Sequence, residues 1–548
     1  SNSRGCGDGD AERPPSLVFL VSACGMATFD DLQAELEVGK KTYDHIWQKD
    51  VMEKAEAVTD WTSFTIDWFA EPMPLESRDG LAFGREVRQM VCDTCYRDDV
   101  PELPASAPEK EDILVFADEG GVCQRIISKV PEARLGTVKM VTKPARLLAA
   151  DDFQSVLGKK PWDLIIFGSS LDAPRSSSVA DVIAHQKAVT KACFLLMQTA
   201  CLKDGCCRRM AVLANDIFSE EEETHRTAGL AATTHGTMFG LCNTARMELE
   251  FPVMLIDIEF PDCPETVPHV VSELFRSPTF GVNTVRQRYP YPLRAGVRSS
   301  RPTGRFVARQ KATHEYQKAG VKFIIPEEGV IAISGGNGAL GLVMGLWLLE
   351  TAEKEQVASG GAYRPRFCIQ FLSRSAKVSD LNMPNWKNIE RKAGEMGIKV
   401  EQGVMDMSSQ SAVDSYVQGV TPNLIGFIHS AGVLQDSMIP NQNWDKFEAV
   451  YSSKHWAAMY LHDALERFAN PNLKFFWMFS STSVYGNMGQ LNYSSSNSYL
   501  DALARHRVAL GKPALAIQWG AWGEVGMAAT MDDGMRRRVM MGPMPYFT

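Results

Sequence analysis

Three glycines, Gly336, Gly338 and Gly341, form the pattern G-x-G-x-x-G. They follow a β-rich apolar run, Val330 to Ser334, and open an amphipathic stretch carrying Leu340, Leu342, Val343, Leu346 and Leu348. Glycines at this spacing permit a tight strand-to-helix turn, close approach of a pyrophosphate to the backbone, and close helix–strand packing. The candidate phosphate loop is therefore Gly335, Gly336, Asn337, Gly338, Leu340 and Gly341. The next apolar run ends Leu372-Ser373-Arg374, with no Asp or Glu placed to accept a ribose 2′-hydroxyl. Arg374 instead offers a planar cation to a 2′-phosphate, which favours NADPH over NADH. The plain alternatives are a ligand-free glycine turn and a solvated loop cation.

Four polar segments follow: His429-Ser430-Ala431-Gly432, Lys454 within Tyr451–Trp456, Ser480-Ser481 after an apolar run, and Tyr493 to Asn497. Taken singly, Tyr493 reads as an amphipathic packing residue, Lys454 as a solvated cation, and the serine run as a turn. Together with Gln490-Leu491-Asn492-Tyr493 and Gln518-Trp519-Gly520-Ala521-Trp522-Gly523, they resemble the ketoreductase domain of polyketide and type I fatty acid synthases, a short-chain dehydrogenase/reductase. The order Lys, then Tyr-x-x-x-Asn, is that group's own. Ordinary short-chain reductases look like Tyr-x-x-x-Lys with the Asn upstream.

The resemblance implies NADPH-dependent reduction of a 3-ketoacyl thioester carried on an acyl carrier protein. Hydride delivery to a ketone leaves a developing alkoxide, which needs a proton and hydrogen-bond donors. Tyr493 is the implied acid. Its phenol, with a pKa of about 10 when free, is expected to titrate closer to neutrality beside Lys454, which also holds the nicotinamide ribose. Asn497, four residues on, shares a helical face with Tyr493 and orders Lys454 or a water. A serine orients the carbonyl: strand register selects Ser481, whereas the family's distance to the tyrosine fits Ser480, and Ser481 is preferred. The implied cofactor contacts add Ser373, Arg374, Asp406, Met407, Ser430, Ala431 and Gly432, with a loop or helix-capping role as the alternative for Asp406. Leu434, Asp436 and Trp522 are implied on the substrate side. Leu434-Gln435-Asp436 resembles the Leu-Asp-Asp loop of reductases giving the 3R (D) alcohol, and Tyr485 stands where the opposite type has Trp.

Parallel α/β packing must position these groups. Short apolar runs alternate with amphipathic stretches twice along the chain, which predicts two tandem Rossmann-like, doubly wound units. The first is expected to be truncated and structural, the second catalytic and NADPH-binding. Where the second unit has its glycine loop, the first reads Ala117-Asp118-Glu119-Gly120-Gly121, placing two carboxylates where a phosphate needs bare N–H groups. The resemblance extends loosely over this unit through Thr65-Ile66-Asp67-Trp68, Gly236 to Leu241 and Ala245-Arg246-Met247-Glu248. The expected divisions are an N-terminal linker or helical segment (1–62), a structural unit (63–300) and a catalytic unit (301–548).

With 548 residues, 45% hydrophobic and net charge −9, the chain has ample core material and no general attraction to nucleic acid or anionic membranes. Its apolar stretches are too short to span a bilayer, and acidic residues precede the first of them, unlike a secretory signal. Twelve scattered cysteines imply structural thiols in a reducing cytoplasm and no metal centre. The expected partners are an acyl carrier protein bearing a phosphopantetheine-linked substrate and the other domains of a megasynthase. Two other readings stand: a free-standing reductase or epimerase on a soluble substrate, and a silent NADPH-binding scaffold.

Overall fold

The computed structural model describes residues 19–22, 61–70, 110–158, 160–219, 222–264, 266–275, 284–288, 304–313, 323–520 and 522. Most of the expected 1–62 segment, the cysteines Cys92 and Cys95, and residues 71–109 lie outside the described residues.

The first unit comprises β1 (Phe19–Ser22), β2 (Trp61–Ala70), β3 (Glu111–Phe116), α1 (Val122–Ser128), β4 (Leu135–Val141), α2 (Ala150–Leu157), β5 (Leu164–Phe167), α3 (Val179–Cys201), β6 (Met210–Asn215), α4 (Glu222–Ala228), α5 (Thr237–Glu248), β7 (Val253–Ile258), α6 (Thr266–Phe275), β8 (Thr284–Arg288) and β9 (Gly304–Thr313). Its sheet runs β4-β3-β5-β6-β7-β8-β9-β2-β1. Strands β4 through β8 pair in parallel, and β9, β2 and β1 continue antiparallel. Strands β5 and β7 are buried along their whole length because helices cover both faces, which is why β5 reads as an unbroken apolar run and β7 departs from one only at Asp257.

The second unit comprises β10 (Val330–Ser334), α7 (Ala339–Ala358), β11 (Cys368–Ser373), α8 (Met383–Met396), β12 (Lys399–Val404), α9 (Gln410–Val420), β13 (Leu424–His429), α10 (Trp444–Ser453), α11 (His455–Arg467), β14 (Phe475–Ser481), α12 (Leu491–Ala509) and β15 (Leu515–Trp519). All pairings in its sheet are parallel, in the order β12-β11-β10-β13-β14-β15. That is the doubly wound dinucleotide-binding order. Beyond its first strand this sheet has two flanking strands, β11 and β12, where the first unit has β4 alone among the described residues. Among those residues the first unit is the shorter on that flank.

One expected division is corrected. Strand β9, placed on the catalytic side of a 300/301 boundary, pairs with β2 and β8 and so belongs to the first sheet. The first sheet therefore extends at least to Thr313. The first sheet also recruits Phe19–Ser22, from the segment expected to be a linker.

The two units share a core. Residues of β3, β5, α3 and α5 pack in one apolar cluster with residues of α10, α11 and α12. Helix α12 crosses α5 at very short range. A Cβ on Gly240 would lie 2.1 Å from Ser494 O, and one on Gly236 would lie 2.6 Å from the Ala502 methyl. Gly240 N donates to Ser498 Oγ at 3.1 Å. The serine run of α12 is thus a small-residue face: Ser494, Ser495, Ser496 and Ser498 are at most 2% exposed. Cys206 and Cys207 are likewise buried in the shared core. Among the described residues no helix is long and apolar enough to cross a membrane.

Candidate active site

The glycine loop joins β10 to α7. Gly335 has φ +68°, and a Cβ there would meet Ala431 at 2.9 Å. A Cβ on Gly336 would lie 2.7 Å from Phe371 of β11, and one on Gly341 would lie 2.6 Å from Gly335 O. These are close approaches that only glycine allows. The loop is held from β11: Asn337 N donates to Ser373 Oγ at 3.0 Å, and Asn337 Nδ2 to Ser375 O at 2.7 Å. Helix α7 starts at Gly338 with no side-chain cap and no acidic residue in its first turn. Its N-terminal N–H groups and dipole suit an anion, so the loop fits a dinucleotide pyrophosphate. Leu340 packs its side chain into the core beneath α7.

The matching place in the first unit is filled by the chain itself. The Asp118 carboxylate accepts from Val122 N at 2.8 Å and Cys123 N at 2.7 Å, at the start of α1. Glu119 pairs with Arg146, and its N–H donates to Asp172 Oδ1 at 2.8 Å. A resident carboxylate uses the donors a phosphate would need.

Arg374 is exposed on the loop after β11. Across from it, Asp406 Oδ1 accepts from Ser408 N at 3.0 Å and Ser408 Oγ at 2.7 Å. Those bonds, and then the Arg374 charge, hold its carboxyl below the usual range. Asp406 thus shapes the turn that leads into α9. Met407 buries its side chain in the shared core, which leaves only its backbone for a ligand.

Residues Ser430 to Gly432 lie between the glycine loop and Lys454. Ser430 N and Oγ both donate to Ser334 O, at 3.2 and 2.6 Å. Ala431 abuts Gly335, and a Cβ on Gly432 would lie 3.3 Å from Lys454 Nζ. His429, fully buried, ties the two sides together. Its Nε2 donates to Lys454 O at 2.8 Å, so its Nδ1 accepts from Ser334 Oγ at 2.8 Å.

Lys454 occupies the break between α10 and α11, with φ −117° and ψ −88°. Its ammonium sits 5.0 Å from the centre of the Tyr493 ring. Burial lowers its pKa to about 7, opposed by the charge of Asp501. Tyr493 departs from expectation: burial pushes its phenol up to about 12, and Asn497 only partly offsets this. The cation lies over the ring and is itself partly discharged near neutrality, so desolvation of the phenolate dominates. Asn497 Nδ2 donates to Tyr493 O at 2.9 Å, while its Oδ1 is buried with no hydrogen-bond partner among the described residues.

The two serines separate in the structure. Ser480, 3% exposed, donates to Asn497 O at 3.2 Å and so faces α12. Ser481, next along the strand and on its opposite side, is partly exposed and accepts from Ser483 N at 3.1 Å.

Of the residues expected to face substrate, Asp436 accepts through Oδ2 from Gln490 Nε2 at 2.9 Å. Asn492 Nδ2 donates to Gln435 O at 2.9 Å, which draws the Leu434–Asp436 loop onto the start of α12. Tyr485 packs edge-on against Phe239 of the first unit at 6.0 Å. Trp522 packs against Trp519 at 5.1 Å. Sequence reasoning missed the linking role of His429 and all of Asp501. Asp501 is 3% exposed, accepts from Gln518 Nε2 at 2.6 Å, and is pushed by burial to about 7. Its available signal was a carboxylate eight residues after Tyr493, two helical turns along the same face.

Comparison with known proteins agrees with this geometry. The family model of the KR domain matches residues 329–524. The chain is 32% identical over 225 residues to the polyketide synthase GfsA of Streptomyces halstedii, covering 40% of this chain and 3% of that one. It is 32% identical over 223 residues to the mellein synthase of Phaeosphaeria nodorum, covering 40% of this chain and 12% of that one. Thus the chain spans only a small part of the synthases it matches. Among solved structures, an A-type ketoreductase from a modular polyketide synthase superposes with TM-score 0.61 at 20% identity, covering 88% of this chain and 87% of that one. That likeness establishes the two-unit fold. Residues 329–524, with the glycine loop and the Lys454–Tyr493 pair inside them, match the KR domain family and share the Rossmann-like fold of polyketide synthase ketoreductases.

Proposed function

We propose that the chain reduces the 3-keto group of an acyl thioester presented by an acyl carrier protein, using NADPH and giving the 3R alcohol, in the cytoplasm. The observation that carries this reading is the buried Lys454 ammonium 5.0 Å from the Tyr493 ring, on the far side of Ser430–Gly432 from a phosphate-fitting loop. Gly335 to Gly341 would hold the pyrophosphate, Arg374 the 2′-phosphate, and Ser430 to Gly432 with Lys454 the nicotinamide end. When bound, that cofactor supplies the hydride.

The chain's own groups manage the oxygen. Ser481 donates to the ketone and orients it. Tyr493, kept protonated by burial, gives its phenolic proton to the oxygen as the alcohol forms, and Lys454 steadies the phenolate left behind. Asn497 Oδ1, buried with no partner among the described residues, is placed to accept from a water that leads to Lys454. The 3R assignment is supported by the Leu434–Asp436 loop held over the start of α12, and by Tyr485 being committed to packing against Phe239.

The test is NADPH oxidation with an acetoacetyl thioester by wild type and Tyr493→Phe, with chiral analysis of the product. Loss of turnover in the variant with NADPH binding retained supports the reading. NADPH binding without any turnover by wild type would replace it with the scaffold reading, and a 3S product would overturn the stereochemical part.

A further inference from the structure

The two loops bordering Tyr493 on the substrate side are held by a side chain of the first unit. Glu248, at the C-terminal end of α5, accepts from Ile439 N through Oε2 at 2.7 Å and from Gly489 N through Oε1 at 2.8 Å. Ile439 closes the segment that carries Leu434 to Asp436, and Gly489 lies just before α12. The loops also meet directly, Ser437 N donating to Gly489 O at 2.7 Å. Behind them, Gln198 of α3 donates through Nε2 to Ile439 O at 2.9 Å and Gln442 O at 2.8 Å. Glu248 is thus the junction at which two stretches fifty residues apart in the chain are fixed to one another. The same stretches supply the Asp436–Gln490 bond and the Asn492–Gln435 bond beside Tyr493.

The chemistry of the junction suits a carboxylate. Each oxygen takes one backbone N–H, and hydrogen bonds to an ionised acceptor are about twice as strong as neutral ones. Glutamine has the same shape but only one acceptor oxygen. Its NH₂ would face a backbone N–H, donor against donor, and would release one loop.

We propose that Glu248 is a positioning residue for the substrate. Through Ile439 and Gly489 it sets the distance and angle at which the ketone meets Tyr493, and so the fidelity of the alcohol's configuration. The unit whose phosphate site is self-filled thereby acts on catalysis through the substrate loops and not through the cofactor. This inference rests on the ketoreductase reading above.

The experiment uses the full chain as wild type, Glu248→Gln and Glu248→Ala. Hydrogen exchange is followed in peptides containing Ile439 and Gly489, alongside NADPH affinity, KM for an acetoacetyl thioester, and the enantiomer ratio. The expected result for Glu248→Gln is exchange about tenfold faster at one or both amides and KM raised about five- to tenfold, with an eroded enantiomer ratio. NADPH affinity should stay within about twofold. Glu248→Ala should exceed these effects at both amides. Unchanged exchange, or faster exchange with unchanged KM and ratio, overturns the proposal. So does a parallel loss of NADPH affinity, which would mark a general structural role. An inactive wild type would instead sink the ketoreductase reading and the substrate part of this proposal with it, while exchange would still decide whether Glu248 holds the loops.

Discussion

Lys454 places its ammonium 5.0 Å from the centre of the Tyr493 ring, and burial drives the two groups in opposite directions, the lysine down to about 7 and the phenol up to about 12. Both shifts favour the uncharged forms. The phenol therefore stays protonated near neutrality, beside a lysine whose charge is sensitive to pH there.

This sets a pH dependence. A lysine whose pKa is lowered carries its charge below about 7 and loses it as pH rises. The ratio kcat/KM for NADPH, which reports the free enzyme, should fall above about pH 7, approaching tenfold per pH unit. The negative charge of Asp501 holds the lysine pKa up, so Asp501→Asn should move that limb to lower pH. A flat profile to pH 9 in wild type would refute the assignment.

Ser480 and Ser481 should separate by kind of effect. Ser481→Ala removes the proposed donor to the ketone and should lower kcat by about 10²–10³-fold with little change in melting temperature. Ser480→Ala removes a buried bond to α12 and should cost about 1 kcal/mol of stability, with most activity retained. Reversed outcomes in paired kinetic and thermal measurements would make Ser480 the catalytic serine.

Gly240 is a test of the seam between units. An alanine methyl would lie 2.1 Å from Ser494 O, so α5 and α12 must move apart. Gly240→Ala should destabilise by about 1–3 kcal/mol in denaturant titration and lower kcat, because α12 carries Tyr493 and Asn497. A fully stable and active variant would show that the crossing tolerates separation.

Buried histidines should make the fold acid-labile. Burial lowers His506 to about 3 and His429 to about 4 from an ordinary 6.5. Between those values and 6.5 the unfolded chain binds protons that the folded one refuses, so stability present above 6.5 is lost as pH falls. Each contributes a loss of about 2 kcal/mol by pH 5. Asp501, raised by burial from 3.8 to about 7, has the opposite slope and offsets part of the loss. His506→Gln should therefore lose less stability between pH 7.5 and pH 5 than wild type. An equal loss would mean that other groups govern acid unfolding.

Arg374 tests cofactor choice. Arg374→Ala should weaken NADPH binding about tenfold or more while leaving NADH within about twofold, measured by fluorescence titration. Equal losses would remove its 2′-phosphate role.

The fold was legible where side-chain period and burial coincide. The fully buried strands β5, β7 and β13 appear as mainly apolar runs, and the glycine loop appears because Gly335, Gly336 and Gly341 face backbone atoms, or Phe371 Cβ, within 3 Å of a would-be Cβ. Strand β9 was not legible: it carries Arg305, Arg309, Gln310 and Lys311 and lacks the long apolar run of the buried strands, and only pairing with β2 and β8 makes it a strand. In the site, residue types and order marked Lys454, Tyr493 and Asn497. The direction of the Tyr493 shift was not visible, because it depends on burial produced by packing across the two units. The links through His429 and Glu248 were hidden for a similar reason, since both work on backbone groups whose positions no sequence pattern announces.

The Asp118 carboxylate at the start of α1 has a consequence for stoichiometry. A competitor tethered four residues from the N–H it occupies acts at an effective concentration that a free nucleotide does not approach in a cell. A chain with two Rossmann-like sheets should therefore titrate with one equivalent of dinucleotide, and its saturation curve should show a single phase.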